Sequence, residues 1–321
     1  MPFWDSSEFD LNDGTNADIW NDSPKLQQGI QAPTALEAEG AFGAQQAMLE
    51  PADPAVWHNL QTPGILPWVP DLVGTHWKNE AKSLLVVGLA YAGFINEYSG
   101  RKAAMALDDY ASATTVLQFQ ERYIKKVVSP DKAYYGKLAE LAELSGCGAR
   151  NLCITDLCRA SLVKRAGSGD TRKDDSKERN YCASKIGRSV FEKYLVHNLS
   201  WTRTRLVAKD KQHVVTLGRC AELGILRILL SDGWLASPTL KQEGDHGFDA
   251  GVVAMSKRLF RGADWLNHSL GSLPRIWNVT GTLEGKAHEW TLIAIPHPSA
   301  FGGAFNAALP VSANYLAAHV V

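Results

Sequence analysis

His297 stands between Pro296 and Pro298 and is followed by Ser299. Proline on both sides fixes the backbone and removes two amide donors. Ser299 can hydrogen-bond locally and stiffen the turn. Phe301-Gly302-Gly303 then places an aromatic tip on a flexible base. A His after a strand is more often a structural or surface residue than a catalytic one, but a rigid imidazole beside an apolar wedge suits chemistry on a base pushed out of a duplex. Asp156 is the second residue of interest. An ionised carboxylate only accepts hydrogen bonds, so it pairs with donors such as an exocyclic amine.

Four apolar runs position these residues. Ser83 to Leu89 (SLLVVGL), Asn151 to Leu157 (NLCITDL), His213 to Gly218 (HVVTLG) and Glu289 to Ile295 (EWTLIAI) read as buried strands. Helices are expected within 34–49, within 101–126, before Gly146, and over 186–198 and 220–230. Alternating strands and helices imply an α/β fold, three layers in the order α/β/α around a mostly parallel four-stranded sheet. In such sheets the functional loops lie at the carboxyl ends of the strands, where Gly88, Asp156, Gly218 and His297 all fall. Residues 1–80 read as an N-terminal extension and lead-in, and 81–321 as one α/β domain with an insertion at about 231–288. The aromatic and polar groups of that insertion, Trp234, His246, Trp265, His268 and Trp277, suit the core of an added subdomain or a deeper pocket.

Among 321 residues, 45% are hydrophobic and 21% charged, enough to bury a real core. The net charge of -1 means that any nucleic-acid surface must be local. Lys164 to Arg188 is rich in Lys and Arg but interspersed with acids, and 163–179 is expected to be a loop. Five cysteines, an odd count without a signal sequence, fit a reducing cytoplasm better than a disulfide framework. Their spacing is not that of a metal site, so no metal is expected. No apolar run approaches the roughly 20 residues of a membrane span, which argues against a membrane partner. No Gly-x-Gly-x-x-Gly or Walker loop is present, which argues against a nucleotide-binding protein or transferase of similar topology.

The order of four segments resembles the uracil-DNA glycosylase superfamily. Val86-Val87-Gly88-Leu89-Ala90 followed by Gly100-Arg101 is similar to the first motif of its b-type branch. Ile154-Thr155-Asp156 is similar to the strand that carries the base reader. Leu217-Gly218-Arg219-Cys220-Ala221 is similar to a Leu-Gly-x-x-Ala strand end, and Pro296-His297-Pro298-Ser299 to the His-Pro-Ser loop. The matches span residues 84 to 303.

The resemblance implies a DNA glycosylase; some related glycosylases hold an iron–sulfur cluster, but no Cys precedes Cys147 here, so no cofactor is expected. His297 would stabilise charge on the leaving base, and Phe301, with Ser299 and Gly302, would enter or touch the DNA. Gly88, Leu89 and Ala90 would line the base site, and Tyr91 would stack on the flipped base. Arg159, Lys164 and Arg165, following the base-reading strand, are placed to meet phosphates. Two departures matter. Leu89 and Ala90 stand where many members carry a water-activating acid, so by analogy with the b-type branch Asp108 or Asp109 takes that role, with Asn96 and Glu97 close by. Asp156 stands where the family has Asn, which shifts the expected base from uracil towards a cytosine type. A bulky modified cytosine, such as the glucosylated hydroxymethylcytosine of phage DNA, then fits a role in anti-phage defence. The alternatives are excision of uracil or another deaminated base in repair, and a catalytically silent DNA-binding relative.

Overall fold

The computed structural model describes residues 2–22, 70–90, 114–158, 199–230, 233–242, 274–298 and 303–319. The chain forms two compact units. One comprises Met1–Asp71, Ala90–Asp131 and Cys158–Asn198, the other Leu72–Leu89, Lys132–Leu157 and Leu199–Val321.

In the first unit, helix α1 (Gly14–Asp22) and helix α2 (Val116–Tyr123) are joined to the segment at Asp71 by two buried amides. Asn16 Nδ2 donates to the Asp71 carbonyl at 2.9 Å, and the Asp71 N–H donates back to Asn16 Oδ1 at 3.0 Å. Gln120 Nε2 donates to the Leu11 carbonyl. Buried amides persist only when their donors and acceptors are matched, and these are. Thr115 caps α2 by accepting from the Gln118 N–H. The chain then continues as a π-helical turn, Ile124–Val128. α2 lies inside the region expected to be helical, whereas α1 was not anticipated; 34–49, 163–179 and 186–198 lie outside the described residues.

Among its described residues the second unit is built on one mixed sheet of seven strands: β1 (Leu72–Val73), β2 (Leu84–Ala90), β3 (Leu152–Cys158), β4 (Lys211–Leu217), β5 (Ala236–Gln242), β6 (Arg275–Leu283) and β7 (Lys286–Ile295). Their order across the sheet is β1-β3-β2-β4-β7-β6-β5. The four expected strands are adjacent at its centre. Pairing is parallel for β2 with β4 and β4 with β7, and antiparallel for β1 with β3, β7 with β6 and β6 with β5. The expectation of a four-stranded sheet is therefore corrected: the described part of the 231–288 region adds β5 and β6 to one edge of the same sheet. Trp277, read as part of a subdomain core or a pocket, is a buried residue of β6.

Register assigns the two faces. Paired residues project to the same side. Val87, Thr216, Ala294 and Arg275 share one face, continued by Val214, Leu292 and Trp277 and then by Trp290 and Val279. Helix α4 (Leu199–Leu206) covers it through the Leu206 carbonyl, which accepts from Trp290 Nε1 at 2.7 Å. Helix α5 (Arg219–Leu230) covers it through Glu222, which accepts from Trp277 Nε1 at 2.7 Å and pairs with Arg275. The opposite face carries Leu84, Val86, Gly88, His213, Val215, Leu217, Ile293 and Ile295. Helix α3 (Tyr135–Leu144) meets it at Gly88. Helix α6 (Ala304–His319) packs on α3 and β7 and ends beside His213. There, burial and then the charge of His319 push the His213 imidazole below its usual range. Helices thus lie on both faces, and the fold class is α/β.

Two cysteines behave as the sequence implied and one does not. Cys147 and Cys153 are buried free thiols, and burial pushes the Cys147 thiol up to about 12. Cys220, in the first turn of α5, is disulfide-bonded, against the expectation of thiols throughout. Cysteine count and spacing carry no information on which thiols the fold brings together.

Candidate functional site

The chain passes from β2 to β3 on one side and later returns to β4 on the other side of β2. Open α/β sheets bind ligands beyond the strand ends at such a reversal. Local chemistry at those ends follows from Gly88, Gly218 and the prolines on either side of His297.

Gly88 lies near the end of β2. A Cβ there would stand 2.0 Å from Asp156 Oδ1 and 3.4 Å from the Tyr134 hydroxyl. Only a residue without a side chain lets the Asp156 carboxylate lie over the strand, so Gly88 and Asp156 form one unit. Asp156 is half-buried in the second half of β3. Leu84 to Val87, all nearly fully buried, anchor β2 beneath it.

Gly218 follows β4. Its φ of +85° is a left-handed conformation that lets the chain turn from strand into α5. Its N–H donates to the Ile295 carbonyl at 2.7 Å, and its carbonyl accepts from the Glu222 N–H, which begins the helix. A Cβ at Gly218 would lie 3.6 Å from the His297 Cβ, so the turn and the histidine are immediate neighbours.

His297 follows β7, between the buried Pro296 and Pro298, and is itself half-buried. Its ring faces that of Tyr134, with centroids 5.4 Å apart and planes inclined at 32°. Tyr134, the N-cap of α3, therefore touches both halves of the site: its hydroxyl lies by Gly88 and Asp156, and its ring lies by His297. Three residues later on the same helix, Lys137 Nζ donates to the Pro298 carbonyl at 2.7 Å and lies 5.5 Å over the Phe305 ring.

The structure thus brings Gly88, Asp156, Gly218 and His297 to one end of the sheet. Leu89 and Ala90 continue β2 beyond Gly88, so the strand end itself carries no carboxylate. Tyr91, Asn96, Glu97, Asp108, Asp109, Arg159, Lys164, Arg165, Ser299, Phe301 and Gly302 lie outside the described residues. Tyr134 and Lys137 were missed by sequence reasoning. They start a helix, and nothing local to Tyr134-Tyr135-Gly136-Lys137 distinguishes a residue aimed at the sheet end from ordinary helix packing.

Chemically, the arrangement offers a carboxylate that accepts hydrogen bonds, an imidazole on a stiff backbone and the phenol ring of Tyr134, all beside Gly88, a strand position without a side chain. That set suits a flat, polar ring whose edge is read by Asp156 while His297 meets another part of it. No protein-family model matches this chain, and no curated protein sequence matches it.

Proposed function

We propose that the protein is a DNA glycosylase that extrudes a modified base, favoured to be a bulky cytosine such as the glucosylated hydroxymethylcytosine of phage DNA, and hydrolyses its N-glycosidic bond in anti-phage defence. The observation that supports this reading most is the junction of Gly88, Asp156, Tyr134 and His297 at a topological switch point. Asp156 would accept from the exocyclic amine of the base, the donor that cytosine has and uracil lacks. Tyr134 would give the flipped ring an aromatic wall.

In the proposed reaction the bond between C1′ and the base nitrogen breaks with oxocarbenium character at the sugar, and the electron pair leaves with the base. His297 would donate a hydrogen bond to the base as negative charge develops there, a group fixed before the reaction and needing no reorganisation during it. Water then adds to C1′, its hydroxyl joining the sugar and its remaining proton passing to the departing base, which leaves an abasic site. β2 ends without a carboxylate, so the acid that orients this water comes from elsewhere; Asp108 and Asp109 remain the proposed source.

Base preference tests the role of Asp156. Asp156→Asn, whose amide both donates and accepts, should shift activity from the modified cytosine towards uracil. The discrimination at stake is that of one buried hydrogen-bonded contact, roughly tenfold to hundredfold in relative rate. Gly88→Ala, which displaces the same carboxylate, should weaken release from the modified base without gaining uracil. Release rates from matched oligonucleotides carrying either base measure both effects. An unchanged preference in Asp156→Asn removes Asp156 from base reading.

A further inference from the structure

We infer that Lys137 is the positioning residue of the His297 loop, a role that rests on the reading of His297 as the group facing the leaving base. The loop has two prolines around its histidine. Pro296 and Pro298 have no N–H, so a segment that must hold an imidazole still has lost two of the donors that ordinarily tie a loop to its scaffold. Among the described residues, two of its carbonyls are gripped, one on each side of His297. The Gly218 N–H takes the Ile295 carbonyl at 2.7 Å. The Lys137 ammonium takes the Pro298 carbonyl, also at 2.7 Å. A charged donor makes the second bond stronger than an amide would.

Lys137 is itself held. Its ammonium lies 5.5 Å over the ring of Phe305, which is 1% exposed and belongs to the first turn of α6. It stands three residues after Tyr134, so the two project from the same side of α3. The start of one helix therefore holds the loop by its carbonyl and faces the imidazole with an aromatic ring. A group positioned from a helix is located more sharply than one on a free loop, and a displacement of about 1 Å at a reacting group is enough to cost on the order of a hundredfold in rate.

The full-length protein carries the test in Lys137→Met, Lys137→Gln and Lys137→Arg. Methionine keeps an apolar stem and removes the donor; arginine keeps donor and charge. The first readout needs no turnover. With ring-labelled histidine, the His297 resonance, identified by its loss in His297→Gln, should be single and sharp in wild type and Lys137→Arg. It should broaden or double in the methionine and glutamine variants. The second readout is base release: kcat should fall roughly tenfold to a hundredfold in those two variants, with KM nearly constant and most of the rate restored by arginine. A sharp, unmoved His297 resonance in both Lys137→Met and Lys137→Gln overturns the inference. So does a pattern of raised KM, unchanged kcat and a shallower salt dependence, which would make Lys137 a phosphate contact instead. If the wild type releases no base from any substrate, the glycosylase reading falls, and the resonance still decides whether Lys137 fixes the loop.

Discussion

His297→Ala is expected to slow base release by about two to three orders of magnitude, the loss typical of removing one preorganised donor from a developing anion. The loss should fall on the chemical step, because a hydrogen bond that strengthens as the base gains charge contributes little to binding the ground state. Single-turnover rates at saturating enzyme separate that step from binding. The variant should fold normally: His297 is half-buried, its neighbours are Tyr134 and the Gly218 turn, and the loop anchors are backbone carbonyls that the substitution leaves in place. A variant that releases base at the wild-type rate would remove His297 from the mechanism.

The largest effect on stability is expected from Glu222→Ala, a loss of about 3–5 kcal/mol, as measured when one partner of a buried ion pair is deleted. Glu222 is fully buried in α5. One carboxylate oxygen accepts from Arg275 Nε at 2.8 Å and from Trp277 Nε1 at 2.7 Å, and the other faces Arg275 Nη2. Removing the carboxylate takes this acceptor from Arg275, a residue only 5% exposed, and from the buried Trp277 indole N–H. Glu222→Gln should lie between, since an amide oxygen can still accept but the charge is gone. Denaturant unfolding midpoints measure the series. A Glu222→Ala loss below about 1 kcal/mol would mean that the Glu222 carboxylate is not what holds Arg275 in place. The network bears on the site as well, because it ties α5, which begins at the Gly218 turn, to β6.

Which parts of this architecture were legible follows from where the information is local. β2, β3, β4 and the end of β7 are short runs dominated by Val, Leu and Ile, and such runs read directly as buried strands. β6 (RIWNVTGTL) alternates correctly, with residues 275, 277 and 279 buried, but its first buried position is Arg275. The alternation therefore looks broken until Glu222, 53 residues away in sequence, supplies the countercharge. The hairpin joining β6 to β7 was hidden for a different reason. Its two turn residues, Glu284 and Gly285, both have positive φ, at 51° and 82°, the geometry of a tight type I′ turn. Glu is not a residue that announces such a turn, so β7 seemed to begin at Glu289 instead of Lys286. β5 opens with Ser237 at φ 49° and Pro238 beside a bulge, features that protect an exposed sheet edge and erase a strand signal.

The site divides in the same way. Asp156 and His297 were visible because strand ends in a parallel sheet are predictable places for chemistry. The fit between them was not. That Gly88 must lack a side chain for Asp156 to lie where it does, and that Tyr134 bridges the carboxylate and the imidazole, are facts of packing between elements far apart in the chain.

The most direct measurement of the central claim is the product of the reaction. Phage DNA bearing glucosylated hydroxymethylcytosine, incubated with wild-type protein and with His297→Ala, should be analysed for free base by mass spectrometry. The account predicts free glucosylated hydroxymethylcytosine and a matching count of abasic sites with the wild type, and neither at a comparable rate with the variant. Intact modified DNA after prolonged incubation with excess wild-type protein, with no base released, would contradict it.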